Sequence, residues 1–283
     1  MLYKVSVIRR IKHASTATCT LPIYMGFLMT EPNSISCTQL AETYNISHDS
    51  VNRFLEREDY TPHDLYQEAI QHIDNNKLIV SIDDTVLDKP YSQHMDLVSY
   101  FWSGKHHRSV KGINLITLYA TDQNGQNIPI NFRIYDKSEG KTKNDYFMDM
   151  LSEVLSWGAK IQFITGDSWY SSTGNLKTIR KYGIRFMFGI DSNRKVSPEK
   201  GQWFQLRLLP DFHQGQVVWL KDFGFVQLFK TQLKEQQRFY IVHQDEDDLL
   251  SFEGFHELHS SHWKIEQYHR VIKQVCHIEK FQV

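Results

Sequence analysis

From residue 77 onward, short apolar runs alternate with turn and helix signals in an order that few folds can satisfy. Residues 77–82 (KLIVSI) are apolar and β-branched, the mark of a strand buried on both faces. Residues 112–120 and 127–135 are two more strands, joined by the turn-rich TDQNG at 121–125. A helix is predicted over 144–157, with Phe147, Met150, Leu151 and Val154 on one side. Then come a strand at 161–165, a helix at 173–182 and a strand at 184–190 after Gly183. Three strands with hairpin-like joins, then helix, strand, helix, strand, predict an α/β fold: a mixed sheet with helices on its faces.

The flanks have a different texture. Residues 38–55 (TQLAETYNISHDSVNRFL) have the shape of a helix-turn-helix, packed by Leu40, Ala41, Val51, Phe54 and Leu55. Asn45 suits the left-handed turn, and Ser47 suits the second helix's N-cap. If this unit reads DNA, His48, Asp49, Ser50, Asn52 and Arg53 are its exposed candidates; the plainer reading is a helical hairpin. Residues 13–30 carry no charge and follow a basic start (Lys4, Arg9, Arg10, Lys12). Threonines, Pro22 and Gly26 interrupt them, so a short buried helix at 23–29 is expected in place of a leader or a membrane span. Residues 62–76 read as a bridging helix. Residues 203–243 are β-rich (VVWL, FGFVQLF, RFYIV), and Asp245, Glu246, Asp247 and Asp248 lead on to a last helix.

The 283 residues carry a net charge of −1, which excludes a uniformly cationic nucleic-acid coat but not local basic surfaces. Cys19, Cys37 and Cys276 are widely spaced with no CxxC pair, so a reduced, cytoplasmic setting is expected. The expected division is a helical DNA-binding region at 1–76, the first part of a core at 77–191, a β-rich insertion at 192–250 and a closing helix at 251–283.

On that closing helix Leu258, Ser261, Ile265, Tyr268, Ile272 and Val275 form a mostly apolar stripe. His259, His262, Glu266, Arg270 and Lys273 form its neighbour. Glu266 gains meaning from two acidic sites upstream: Asp83 or Asp84 at the end of the first strand, and Asp167 after the fourth. Adjacent strand ends and a covering helix would gather them at one edge. Clustered carboxylates repel unless cations neutralise them, and hard divalent ions with oxygen ligands do so. Singly, each acid could be a turn residue or part of a solvated ion pair.

Three segments together are more specific. IDDT at 82–85, ITGDSWYSS at 164–172 and HWKIEQYHRVIKQ at 262–274 resemble the signature regions of insertion-sequence DDE transposases. The resemblance implies an RNase H-like core interrupted by a β-rich insertion. It also implies Asp84, Asp167 and Glu266 as catalytic metal ligands for two Mg²⁺ ions, with Mn²⁺ as a substitute. Lys273, seven residues past Glu266, takes the place of the family's DNA-contacting lysine. His259 and His262 stand where the family has a tyrosine and an arginine, and Arg270, Arg53 and Asn52 complete the expected DNA contacts. The implied partners are double-stranded DNA, both element ends and target, and a second copy of the chain in a homodimer. The implied setting is the nucleoid of a prokaryotic cell. Phe281 and Val283 read as the start of a further packed segment, so a truncated copy is expected, with an inactive DNA-binding remnant as the alternative function.

Two basic clusters suit a phosphate backbone. One is Lys177, Arg180, Lys181, Arg185, Arg194, Lys195 and Lys200, against Asp191 and Glu199. The other is Lys105, His106, His107, Arg108 and Lys111. Trp169, Trp203 and Trp219 read first as core residues, with stacking on an extruded base as the alternative. A zinc site made of His259, His262 and Glu266 is a third reading, though it lacks HExxH spacing.

Overall fold

A computed structural model describes residues 17–31, 36–93, 95–104, 106–233, 236–244 and 248–279. Lys4, Arg9, Arg10, Lys12, Lys105, Asp245, Glu246, Asp247, Phe281 and Val283, all read above, lie outside the described residues.

Four helices come first: α1 Leu21–Thr30, α2 Cys37–Tyr44, α3 His48–Arg57 and α4 Pro62–Ala69. The first three close over a small core of Cys19, Phe27, Leu40, Ala41, Val51 and Phe54. Asn45 ends α2 in the left-handed conformation, and Ser47 caps α3 by accepting from the Ser50 N–H at 3.1 Å. Helix α4 starts on a Thr61/Asp64 capping box with Pro62 in its first turn. It stops at Ala69, short of the expected 76. Asp74 accepts from the Asn76 backbone at 3.1 Å, a local bond that competes with helix.

The sheet then builds from β1 Leu78–Asp88, β2 Ser99–Ser103, β3 Arg108–Thr121 and β4 Asn127–Ile134. Helix α5 Lys143–Ser156 leads to β5 Ile161–Gly166, and α6 Thr173–Lys181 leads to β6 Arg185–Ile190. The core order is β4-β3-β1-β5-β6, with β4, β3 and β1 antiparallel and β1, β5 and β6 parallel. That order, with its two helical crossovers, is the RNase H-like arrangement.

The later strands are β7 Lys195–Ser197, β8 Phe204–Gln205, β9 Gln216–Leu220, β10 Gly224–Leu233 and β11 Gln236–His243. They do not form a separate sheet. β11 pairs antiparallel with β6, and β10, β9, β7 and β8 extend the same sheet outward. The last element is α7 Phe252–Gln274, capped by Ser251, whose hydroxyl accepts from the Gly254 N–H at 3.1 Å.

The two faces of the sheet have different covers. On one, Leu78, Val80 and Ile82 of β1 join Phe147, Met150 and Leu151 of α5 and Leu176 and Ile179 of α6 in the main core. On the other, Phe163, Met187, Phe229 and Tyr240 meet Phe255 and Leu258 of α7, with Ile79 beside them. Even-numbered β1 side chains therefore face α5 and odd-numbered ones face α7. Among the described residues no helix is long and apolar enough to cross a membrane.

Candidate active site

The alternation of β1 separates the two adjacent acids. Asp83 points to the α7 side, where its carboxylate lies 3.4 Å from His269 Nδ1. The other ring nitrogen of His269 is 3.2 Å from Thr117 Oγ1, which fixes the imidazole between β1 and β3. Asp84, the residue expected as a ligand, points to the α5 side and accepts three side-chain hydrogen bonds. Its Oδ2 accepts from Asn114 Nδ2 and Lys143 Nζ, both at 2.7 Å, and its Oδ1 accepts from the Tyr170 hydroxyl at 2.9 Å.

Register brings the second acid alongside the first. Ile82 pairs with Gly166 in the parallel β1–β5 ladder, so Asp83 and Asp167 follow at the same level. Asp167 Oδ1 accepts from the Trp169 backbone N–H at 2.9 Å and starts a short 3-10 turn. Below it, the Ser81 and Thr165 hydroxyls share a bond of 2.8 Å, and Thr165 Oγ1 lies 3.3 Å from His262 Nδ1 on α7. One turn further along α7 is Glu266.

The electrostatics join the three. Asp167 keeps contact with solvent, yet desolvation, then the charge of Asp83, then that of Asp84 push its carboxyl up to about 7. Desolvation and then Asp83 push Glu266 up to about 7 as well, against the opposing charges of Arg238, Arg270 and His269. Two carboxyls that resist ionising, first through desolvation and then through a neighbouring negative charge, are an arrangement that cations relieve, and all the donors are oxygens. In chemistry the set suits hard divalent ions. Among the described residues, however, no three His, Cys, Asp or Glu side chains stand together as a ready metal cage. The zinc reading finds no assembled site either: His262 turns to Thr165, and His259 Nε2 lies 3.0 Å from the Tyr240 hydroxyl.

The profile of the transposase DDE domain matches residues 74–283. The chain belongs to that family. A search of curated protein sequences finds no match. Solved structures offer remote likeness only. NurA nuclease from Sulfolobus solfataricus is 14% identical, with 84% of this chain and 94% of that one covered at a TM-score of 0.30. Marinitoga piezophila Argonaute, in complex with 5′ OH guide RNA and target DNA, is 9% identical, with 81% of this chain covered at a TM-score of 0.25. This chain spans only 30% of that Argonaute chain.

The residues expected at the DNA surface of this transposase domain are distributed unevenly. His262 is interior, and burial lowers its pKa to about 4. His259 is half-buried against Tyr240. Lys273 is spent inside the fold: its ammonium donates to the Val86 carbonyl at 2.7 Å and lies 3.4 Å from the Glu279 carboxylate. Beside it, buried Lys89 donates to the Ile278 and Glu279 carbonyls at 3.0 and 3.1 Å. Arg270 is exposed. On α3, Arg53 is exposed and pairs with Asp49 at 3.5 Å, and half-buried Asn52 lies 3.3 Å from His48 Nδ1. Ser50, expected on that surface, is buried and accepts from the Cys19 backbone at 2.9 Å.

The buried stripe of α7 is Phe255, Leu258, His262, Ile265 and His269; it shares Leu258 and Ile265 with the expected apolar stripe but not Val275, which is 67% exposed. Two histidines take core positions because Thr165 and Thr117 offer them hydroxyl partners. His269 went unnoticed in the sequence, although the steps of three and four from Phe255 lead to it. Of the first basic cluster, Arg180, Arg185 and Arg194 are committed to the Phe223 carbonyl, Asp248 and the Ser171 carbonyl, respectively. Lys177, Lys181, Lys195 and Lys200 are exposed. The three tryptophans are not core residues: Trp169, Trp203 and Trp219 are 62%, 45% and 43% exposed. Lys143 Nζ lies 5.4 Å from the centre of the Trp169 ring.

Proposed function

We propose that this domain cuts DNA at insertion-sequence ends and joins the freed 3′-hydroxyl to target DNA, with Asp83, Asp167 and Glu266 as the acids that hold two divalent ions. The observations that support it are register and charge: β1 and α7 bring Asp83 and Glu266 to one side of the sheet, Asp167 follows β5 at the level of Asp83, and the charge of Asp83 acts on both partners. Asp83 takes the role that the motif alone assigned to Asp84. Mg²⁺ or Mn²⁺ bound there would ease ionisation of the attacking oxygen and neutralise the leaving one.

The chain's own residues supply position. His269, fixed by Thr117, orients Asp83. The triple bond set on Asp84 ties β1 to β3, α5 and the turn after β5, so the Asp167 segment is anchored from behind. The exposed Arg270 and lysines and the helix-turn-helix would hold phosphates, a contribution that weakens as salt rises.

The test is nicking of an element-end duplex in Mg²⁺, with binding measured in parallel. Asp83→Asn, Asp167→Asn and Glu266→Gln should each lose cleavage by about 10³-fold or more while DNA affinity stays within about twofold, an effect of the size seen when a principal electrostatic group is removed. Asp84→Asn should keep measurable cleavage. Full cleavage by Asp83→Asn, with loss in Asp84→Asn, would reverse the assignment.

A further inference from the structure

The β2–β3 hairpin lies outside the site just described and outside the helix-turn-helix, and it presents two large aromatic side chains to solvent. Tyr100 and Trp102 are each 66% exposed, whereas Phe101 and Ser103, which alternate with them, are buried. They sit about 7 Å apart along one face of a strand, the spacing at which sheet aromatics can stack successive unpaired bases. Their neighbours across the ladder are Lys111 opposite Tyr100 and Ser109 opposite Trp102.

Within the hairpin sequence itself the charge has one sign, although Asp96 and Asp136 lie near the start of β2. Residues 99–111 contain no Asp or Glu. At the hairpin tip His106, His107 and Arg108 are exposed; His107 has the left-handed backbone of a tight turn. Among the described residues, Asp88 reaches the tip, where it lies 2.9 Å from His106 Nε2. Lys111 donates to the Ser92 carbonyl. An exposed pair of rings beside cations on a sheet is a surface for a strand that carries both bases and phosphates.

Its placement relates it to the carboxylates. Trp102 is opposite Ser109 and Asp83 is opposite Thr117, and both β3 residues are odd-numbered, so both side chains project from the same face of the sheet. From Thr117 to Ser109 is eight residues of β3, roughly 27 Å at about 3.4 Å each.

We propose that the β2–β3 hairpin is a second DNA-contact element, which stacks unpaired bases of a DNA strand on Tyr100 and Trp102 and takes its phosphates on Arg108. This rests on the reading of the domain as a DNA-cutting enzyme. The experiment uses the full chain and two fluorescein-labelled probes, an element-end duplex and the same duplex with a single-stranded extension. Anisotropy titrations run over a range of salt, alongside Mg²⁺-dependent nicking. The joint Tyr100→Ala, Trp102→Ala variant should lose about tenfold or more in affinity for the extended probe and much less for the blunt one. Tyr100→Phe, Trp102→Phe should restore binding. Arg108→Ala should lower the salt slope by about one.

Equal affinity of the double alanine variant and the parent chain for the extended probe, with unchanged far-ultraviolet dichroism, would overturn the proposal while leaving the cleavage reading intact. Absence of any DNA binding or nicking by the parent chain would overturn both.

Discussion

At the scale of single residues, the site is a study in two neighbouring acids with different surroundings. Asp84 accepts from three side chains, whereas Asp83 faces one imidazole and accepts from the Asp84 backbone N–H at 2.8 Å. The charge of Asp83 acts on both Asp167 and Glu266, and that of Asp84 on Asp167. A pH prediction follows for Glu266. Its folded pKa of about 7 lies above the ordinary 4.5. The folded chain therefore holds a proton that the unfolded chain releases. The associated stability is fully present below about pH 4.5 and is lost as pH rises through about 7. Glu266→Gln should accordingly stabilise the metal-free protein at pH 8 and have little effect at pH 4. Discounted for its half-exposed position, the gain is about 1 kcal/mol, or roughly 2–4 °C in Tm. Thermal melts in EDTA at both pH values check this; equal shifts at pH 4 and pH 8 would refute it. The choice between Asp83 and Asp84 was not legible in residues 77–82, because a strand buried on both faces shows no alternation. Only the side chains of α5 and α7 reveal which face each acid takes.

At the scale of elements, the strands that were easiest to read are those that build the core. β1, β3, β4, β5 and β6 are apolar-rich runs between turn and helix signals, and their order alone led to a mixed sheet. β2 was missed, because Tyr100 and Trp102 face water and Ser99 and Ser103 weaken its apolar character. The register of α7 was misread for a related reason: polarity is a poor guide to burial where a histidine has a hydroxyl partner inside. Gly166 shows how tightly the legible strands pack. A Cβ there would lie 2.6 Å from Phe188 Cε1 and 2.7 Å from Ile82 Cγ2. Gly166→Ala should therefore cost about 1–3 kcal/mol and displace Asp167, the next residue. Chemical denaturation reads the first effect, and cleavage falling further than stability reads the second. A variant as stable as the parent would show that β5 and β6 yield more readily than these distances imply.

At the scale of the whole molecule, the β-rich stretch is continuous with the core sheet. β6 has β5 on one side and β11 on the other, so removing residues 192–248 would leave a short, otherwise buried apolar strand with an open edge. Such a deletion, bridged by a short flexible linker, should yield an aggregating protein and not a smaller soluble nuclease. Size-exclusion chromatography of the purified product decides it, and a monomeric, folded species would show that the core is self-sufficient.

One fastening described above bears on how the molecule can respond to a bound strand. The helix that carries Glu266 is tethered near its middle through His262 to Thr165, and near its C-terminal end through Lys273 to Val86, with Lys89 gripping the residues beyond it. Glu266 lies between these two fixed points, and a beam held on either side of a position has little freedom to swing there. On the proposed reading of this domain, adjustment would then come mainly from the DNA, whose backbone would have to bend and open to meet a stationary carboxylate. Sequences that kink cheaply should be the ones this molecule handles fastest.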